Sequence, residues 1–266
     1  MKHDTASQSP DRAQTAVTTS WDDGHKLDLR LAAMLERAGL AGTFYIAPRS
    51  CEIPAEARLT FDEIRSLAGG FEIGGHTLTH ARLPRLGVSE AAGEIRQGKS
   101  LLEDVIQSPV CSFCYPRGEY RPCHLDLVRE AGFSLGRTVR RHETAFPRDP
   151  LQTGTTVHAY RHWRDIPAIA RLAGCQPTQA AAQFWNWDDL AIALFDRTLA
   201  TGGLFHLWGH SWEVDAHDDW GRLERVLRHI GGRSSLRYIT NGDLIPDQVQ
   251  GHPGATASSP RPGAVP

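Results

Sequence analysis

Thr18-Thr19-Ser20-Trp21-Asp22-Asp23-Gly24 closes a β-forming run that begins at residue 16. Successive residues of a strand point to opposite faces, so two adjacent carboxylates inside one would part company. At the last residue of a strand, with Gly24 free to turn sharply, both can crowd one site while aiming differently. Two carboxylates in one place demand a cation or a proton between them. The pair therefore marks a strand end where chemistry gathers, and the remaining residues are read for what they bring to it.

Working outward, apolar patterns of period 3.6 and period 2 alternate along the chain. Residues 26–39 read as a helix with Leu27, Leu31, Met34, Leu35 and Ala38 on one face, and residues 42–47 as a strand ended by Pro48. Thr60-Phe61-Asp62-Glu63 has the form of a capping box opening a helix to Ala68. Residues 71–75 form a strand that runs into His76. The alternation continues with a helix at 88–106, a strand at 110–115, a helix at 123–131 and strands at 134–139 and 155–160. Helical pieces follow over 165–184, then a helix at 187–200, a strand at 203–210, a helix at 219–230 and a strand at 236–240. Strands alternating with helices imply a mostly parallel sheet. Seven or eight such units in a single domain predict a (β/α) barrel, complete or deformed. Residues 1–15 read as a polar leader, 16–247 as the catalytic barrel, and 248–266, rich in Pro, Gly, Ala and Ser, as a disordered tail.

The 266 residues carry a net charge of −2 with no basic block, which argues against a nucleic acid partner. No apolar stretch approaches the length of a transmembrane segment, and the leader has no apolar run of signal-peptide length. Five cysteines (Cys51, Cys111, Cys114, Cys123 and Cys175) form an odd set without framework spacing, as expected of reduced thiols in a cytoplasmic protein. Cys111 and Cys114 form a lone CxxC on a strand, where their sulfurs point to opposite faces, and are read as structural.

Active sites of parallel barrels lie at the C-terminal ends of the strands. Four polar clusters fall there: Asp22-Asp23, His76 to His80, Tyr115-Pro116-Arg117-Gly118, and His206 to His210. If the segment after Gly75 makes a helical turn, His76 and His80 project from one face. With one carboxylate they make a three-ligand site with room for water, as in catalytic zinc centres.

Thr19-Ser20-Trp21-Asp22-Asp23-Gly24 together with His76-Thr77-Leu78-Thr79-His80 resembles the first two motifs of the polysaccharide deacetylase family, carbohydrate esterase family 4. Phe113-Cys114-Tyr115-Pro116-Arg117-Gly118 resembles its third motif. Leu204 to His210 resembles the late strand that carries its histidine motif. The resemblance implies a deformed barrel and hydrolysis of an N-acyl amide, acetyl first, on an amino sugar or glycan intermediate. It also implies a divalent metal, usually zinc, on Asp23, His76 and His80, with Asp22 as the general base. A backbone N–H nearest Arg117 would hold the oxyanion. His210, at the strand's end, is the expected acid, and His206, on the same strand face, is the alternative. Tyr115, Trp208, His25 and His206 are candidate substrate contacts.

The family's third motif opens with an arginine that pairs with the base. Here Cys114 stands in that place, and Arg117 is the nearest replacement. The fourth motif's acid has no counterpart near Arg137-Thr138-Val139-Arg140-Arg141, so the group that orients the acid histidine is unassigned. Those arginines read as a solvated basic face, the alternative being a site for an anionic part of the substrate. Two other functions compete: hydrolysis of a non-sugar C–N bond, such as a cyclic ureide or imide, and a non-catalytic metal-containing sugar-binding protein. Sugar identity, acyl group, native metal and oligomeric state are not legible in the sequence.

Overall fold

Residues 15–173 and 176–245 are described by the computed structural model. Apart from Thr15, the expected leader lies outside them, as do the expected tail and Cys175. Strands β1 (Ala16–Asp23), β2 (Thr43–Ile46), β3 (Glu72–Gly75), β4 (Ser112–Cys114), β5 (Leu135–Arg137), β6 (Val157–His158) and β7 (Leu204–Gly209) form one parallel sheet. Their order is β5-β4-β3-β2-β1-β7-β6. A short β8 (Arg237–Tyr238) pairs with Ala16 and Val17 of β1, below the stretch of β1 that pairs with β2. The sheet curls into a half-barrel, and no ladder joins β5 to β6 among the described residues. Of the complete and deformed barrels that the alternation allows, the deformed single-domain one that the resemblance implies is the fold that forms.

The helices are α1 (Asp28–Arg37), α2 (Phe61–Leu67), α3 (Val88–Ile106), α4 (Pro122–Glu130), α5 (Ile166–Ala173), α6 (Pro177–Trp185), α7 (Trp187–Thr201), α8 (Ser211–Ala216) and α9 (Trp220–Ile230). The capping box of α2 forms as read: Thr60 Oγ1 accepts the Glu63 N–H, and Glu63 Oε2 accepts the Thr60 N–H. Helix α8 was not expected. It starts at the residue after His210, which links the strand directly to the helix.

Strand parity sorts the sheet into two unlike faces. Val17, Trp21, Phe44, Ile46, Ile73, Phe113, Phe205 and Leu207 face the helices and join Leu31, Leu35, Ile95, Leu102, Phe195 and Leu223 in the apolar core. Each such burial contributes roughly 1.5–3 kcal/mol. The opposite face carries Thr18, Ser20 and Asp22 of β1, Thr43 and Tyr45 of β2, Glu72 of β3, Ser112 and Cys114 of β4, Arg137 of β5, and His206 and Trp208 of β7. All but Glu72 are buried. Barrel interiors are usually filled by branched apolar side chains; this one is polar and hydrogen-bonded. Asn241 closes its lower end, with Oδ1 accepting from Thr18 Oγ1 (2.8 Å) and Nδ2 donating to Tyr45 Oη (2.9 Å). Gly74 is required beside it, because a Cβ there would stand 2.4 Å from the Tyr45 ring.

Candidate active site

Asp23 sits at φ +85° and Gly24 at φ +76°. A non-glycine residue in this region is uncommon and marks a strained turn. The turn breaks the strand's alternation, so the two acids share a site while pointing apart. Asp22 faces Arg137 and Cys114, whereas Asp23 Oδ1 faces His76 Nε2 (3.5 Å) and His80 Nε2 (3.4 Å).

The two histidines meet without the expected helical turn. Thr77 (φ +63°) and His80 (φ +65°) are left-handed, and residues 76–80 form an irregular loop. Glu94 of α3 holds that loop, accepting the N–H groups of Leu78 (3.1 Å) and Thr79 (2.9 Å) and the Thr79 hydroxyl. Satisfied by a side chain instead of by an i→i−4 ladder, the loop does not need to be helical. The outer nitrogens face fixed partners, His76 through a hydrogen bond and His80 through a close carboxylate. His76 Nδ1 donates to the Cys114 carbonyl (2.8 Å), and His80 Nδ1 lies 2.9 Å from Glu52 Oε2. Outer anchors of this kind orient metal-binding imidazoles. On its other side Asp23 accepts the Trp212 indole N–H at Oδ2 (2.9 Å), and its buried Oδ1 has no hydrogen-bond partner.

A divalent cation fits these residues. An orphaned carboxylate oxygen faces two imidazole nitrogens, the donor set typical of catalytic zinc. The charge state agrees. Burial opposes ionisation of Asp23, but close contact with His76 and the fields of His210 and His80 hold its carboxyl well below the usual range. Burial lowers His76, but Cys114, Asp23 and Asp22 outweigh it and raise the imidazole well above its ordinary value. The pocket calls for positive charge.

The arginine missing from the third motif is supplied by the next strand. Arg137 is the register partner of Cys114 across β4 and β5, and its Nη2 pairs with Asp22 Oδ1. The small Cys114 side chain leaves the room, its Sγ lying 3.7 Å from Asp22 Oδ2. Burial opposes charge on Asp22, yet Arg137, with His76 and His210, keeps its carboxyl below the ordinary value. Arg137 is therefore neither a solvated residue nor a free anion site. Arg140 pairs with Glu143 (2.9 Å) and Arg141 with Asp165 (3.3 Å), so the basic run is engaged internally.

His210 Nε2 stands 4.0 Å from both Asp22 Oδ2 and Asp23 Oδ2. Its Nδ1 donates to Glu213 Oε2 (3.1 Å), so Glu213 fixes the orientation of this imidazole. Burial lowers the His210 pKa, but Glu213, Asp23 and Asp22 outweigh it and raise it. The same Glu213 oxygen lies 2.9 Å from His158 Nε2, at the end of β6. His158 stacks on Trp208 (centroids 4.0 Å, planes 8° apart), and burial pushes it down to about 4.

Several expected contacts lie elsewhere. His206 is fully buried in the wall, donating from Nδ1 to the Gly154 carbonyl (3.2 Å) and meeting Ser20 Oγ at Nε2 (2.8 Å), so both ring nitrogens are engaged by the protein. Trp208 is covered by His158 on one side and Arg137 on the other, so no ring face is open to a sugar. Tyr115 points into the apolar core, its hydroxyl bound to the Leu151 carbonyl. His25 turns back on its own chain, accepting the Leu27 N–H at Nδ1 (3.1 Å). The Arg117 side chain does not approach Asp22 but pairs with Glu52 (2.7 Å). Its backbone is left-handed (φ +58°), and the hydrogen bonds of that turn are made by the N–H groups of Gly118 and Glu119.

Sequence reasoning assigns no role beside the aspartates or the histidines to Arg137, Glu213, His158, Glu52 and Trp212. Glu213 carried a signal, three residues beyond His210 and within one helical turn of it. His158 carried another, at a strand end like the clusters that were noted.

Residues 9–136 match the family model described as polysaccharide deacetylase, which bears out the resemblance read from the motifs. No curated protein matches, whereas 70 solved chains do. A Mycobacterium smegmatis protein described as a polysaccharide deacetylase superposes with TM-score 0.60 at 17% identity, over 97% of this chain and 98% of that one. The Xyl-CE4 domain of a multidomain xylanase from the hindgut metagenome of Trinervitermes trinervoides gives 0.54 at 11% identity, over 89% and 92%. The Streptococcus pyogenes deacetylase PplD, solved with acetate, gives 0.47 at 19% identity over 52% of this chain. The match spans 62% of PplD, less than two thirds of its length. At these identities the likeness is one of fold.

Proposed function

Because residues 9–136 are polysaccharide deacetylase family sequence, we propose that the protein is a metal-dependent hydrolase removing a small N-acyl group, acetyl first, from an amino sugar or glycan intermediate. The convergence of Asp23, His76 and His80, with an ionised Asp22 beside them, carries this reading. A divalent cation, zinc first, would supply Lewis acidity to the acyl carbonyl and to the attacking water.

The chain's own residues divide the remaining work. Arg137 fixes one oxygen of Asp22, leaving Oδ2 to take the proton of the water that attacks the acyl carbon. The Arg117 N–H, unused by its own turn, is the oxyanion donor. His210, held at Nδ1 by Glu213, presents Nε2 toward the two aspartates and gives its proton to the nitrogen as the C–N bond breaks. The products are acetate and a free amine. The thiol of Cys114 against Asp22 suits a reducing compartment such as the cytoplasm, which fractionation of the native cell would test.

The deciding experiment measures acetate and free amine from N-acetylhexosamines offered as monomers, oligomers and nucleotide-linked sugars, with bound metal quantified in parallel. Asp22→Asn should keep the metal and lose on the order of 10²-fold or more in turnover. Metal-loaded protein that releases no acetate across the panel overturns the assignment.

A further inference from the structure

Beyond His158 the chain leaves the site and builds a face that the catalytic reading does not use. Tyr160 stands beside His158 (ring centroids 5.8 Å), so this face adjoins the mouth of the half-barrel. Trp163 is 68% exposed, Ile166 51% and Trp185 62%. Pro167 and Ala170 are exposed as well, while Ala168, Ile169 and Ala173 of α5 are buried. Helix α5 is thus apolar on its inner side and again on its outer side. Exposed apolar side chains gathered on elements that pack together in this way mark an interaction site.

The charges around it share one sign. Between residues 160 and 187 the charged side chains are Arg161, Arg164, Asp165 and Arg171. Asp165 is turned inward, against Arg141 (3.3 Å) and His142 (3.0 Å). Arg161 lies over the rings of Trp185 (4.7 Å) and Phe184 (5.8 Å), and Arg164 over Trp163 (5.5 Å). The acids that follow, Asp188 and Asp189, are paired with Arg222 and Arg225. The outer face therefore combines indole rings, aliphatic surface and guanidinium groups that have no ion-pair partner among the described residues.

We propose that this face docks the protein onto an anionic lipid surface, with α5 in the headgroup plane and Trp163, Ile166 and Trp185 entering the acyl boundary. Indole rings settle at that boundary, and arginines are drawn to anionic headgroups. A sugar platform would explain the tryptophans, but Ile166, Pro167 and Ala170 offer nothing to hydroxyl groups. Docking stands independently of the catalytic reading. Only its consequence, that the mouth is turned toward a glycan carried on a lipid, rests on it.

Flotation of the full chain with vesicles tests this. Binding to mixed phosphatidylcholine and phosphatidylglycerol vesicles is expected to be about tenfold tighter than to phosphatidylcholine alone, and to weaken with salt. Trp163→Ser combined with Trp185→Ser should weaken it about tenfold while leaving the circular dichroism spectrum and hydrolysis of a soluble substrate unchanged. Arg161→Gln with Arg164→Gln should abolish the preference for anionic lipid. Four results overturn the proposal: no binding to either vesicle; equal binding by the tryptophan variant; loss in that variant of affinity for soluble N-acetylglucosamine oligomers, which makes the face a sugar platform; or a lipid-free dimer that the variant dissociates, which makes it a self-association surface.

Discussion

Arg137 and Asp22 form a buried ion pair that spans the half-barrel, with strands β2, β3 and β4 between their own in the sheet. The guanidinium also lies over the rings of Trp208 (4.7 Å) and Tyr45 (5.2 Å). Its Nε and Nη1 are buried without hydrogen-bond partners, so Asp22 is its main anchor. Removing one member of a buried pair strands the other charge and costs about 3–5 kcal/mol, far more than the net worth of the pair. Arg137→Met and Asp22→Asn should each destabilise the metal-free protein on that scale. The double variant should lose less than the sum by at least about 1 kcal/mol. Urea midpoints of the four proteins measure this, and strictly additive losses would show that the two groups do not stabilise each other.

Glu213 receives two imidazoles on one oxygen, His210 at 3.1 Å and His158 at 2.9 Å. Arg141 Nη2 lies 3.4 Å from His158 Nδ1, which leaves the Nε2 side of that ring for Glu213. Glu213→Gln keeps the shape but removes the charge that orients His210. It should lower kcat on the order of 10²-fold with KM little changed. His158→Phe keeps the stack on Trp208 and loses the polar contact; it should lower kcat by about tenfold, with recovery in His158→Gln. Steady-state kinetics with metal content held equal decide it. Unchanged turnover in Glu213→Gln would remove His210 as the acid.

Much of this was written in the sequence because strand ends are visible there. Asp22, His76 and His210 each follow a run of period-2 residues, and a parallel barrel gathers such ends at one mouth. What stayed hidden depends on lateral neighbours. That Arg137 faces Asp22 follows from the pairing of Cys114 with Arg137, and register between separate strands is not encoded in either strand alone. The same reason explains the misreading of Trp208, whose faces are closed by residues from β6 and β5. The His76 to His80 spacing was read as helical because i,i+4 pairs usually are; Glu94, 14 residues beyond His80, supplied the alternative.

Acid should weaken the fold through His206. Burial holds this imidazole down to about 3, whereas the unfolded chain titrates near 6.5. Between those values the unfolded state binds the proton and the folded state does not. Stability therefore falls as pH falls through the window, by up to about 1.4 kcal/mol per pH unit. His158, held to about 4, acts in the same direction, while Asp28 and Glu72, raised by burial, act in the opposite one. The difference between wild type and His206→Gln isolates the effect. The variant's stability should depend less steeply on pH between 6 and 4.5, by about one proton. Parallel urea titrations across that range check it, and identical slopes would mean that His206 is protonated in its wall.

Glu52 and Trp212 hold the proposed metal ligands from outside. Glu52 sits 2.9 Å from His80 Nδ1 and is itself paired with Arg117, so His80 keeps Nε2 turned to Asp23. Trp212 occupies Asp23 Oδ2 and leaves Oδ1 for the cation. Outer-shell partners of this kind typically change metal affinity by about 10–100-fold, whereas loss of a ligand removes binding altogether. Glu52→Gln and Trp212→Phe should therefore bind zinc more weakly by that factor, and His80→Ala should bind none at stoichiometric zinc. Competition against a chromophoric chelator separates the two classes. Full affinity in His80→Ala would move the metal away from Asp23, His76 and His80. It would point instead to one of the other two groups of close donors, Asp22 with His76 and Cys114, or His158 with His210 and Glu213.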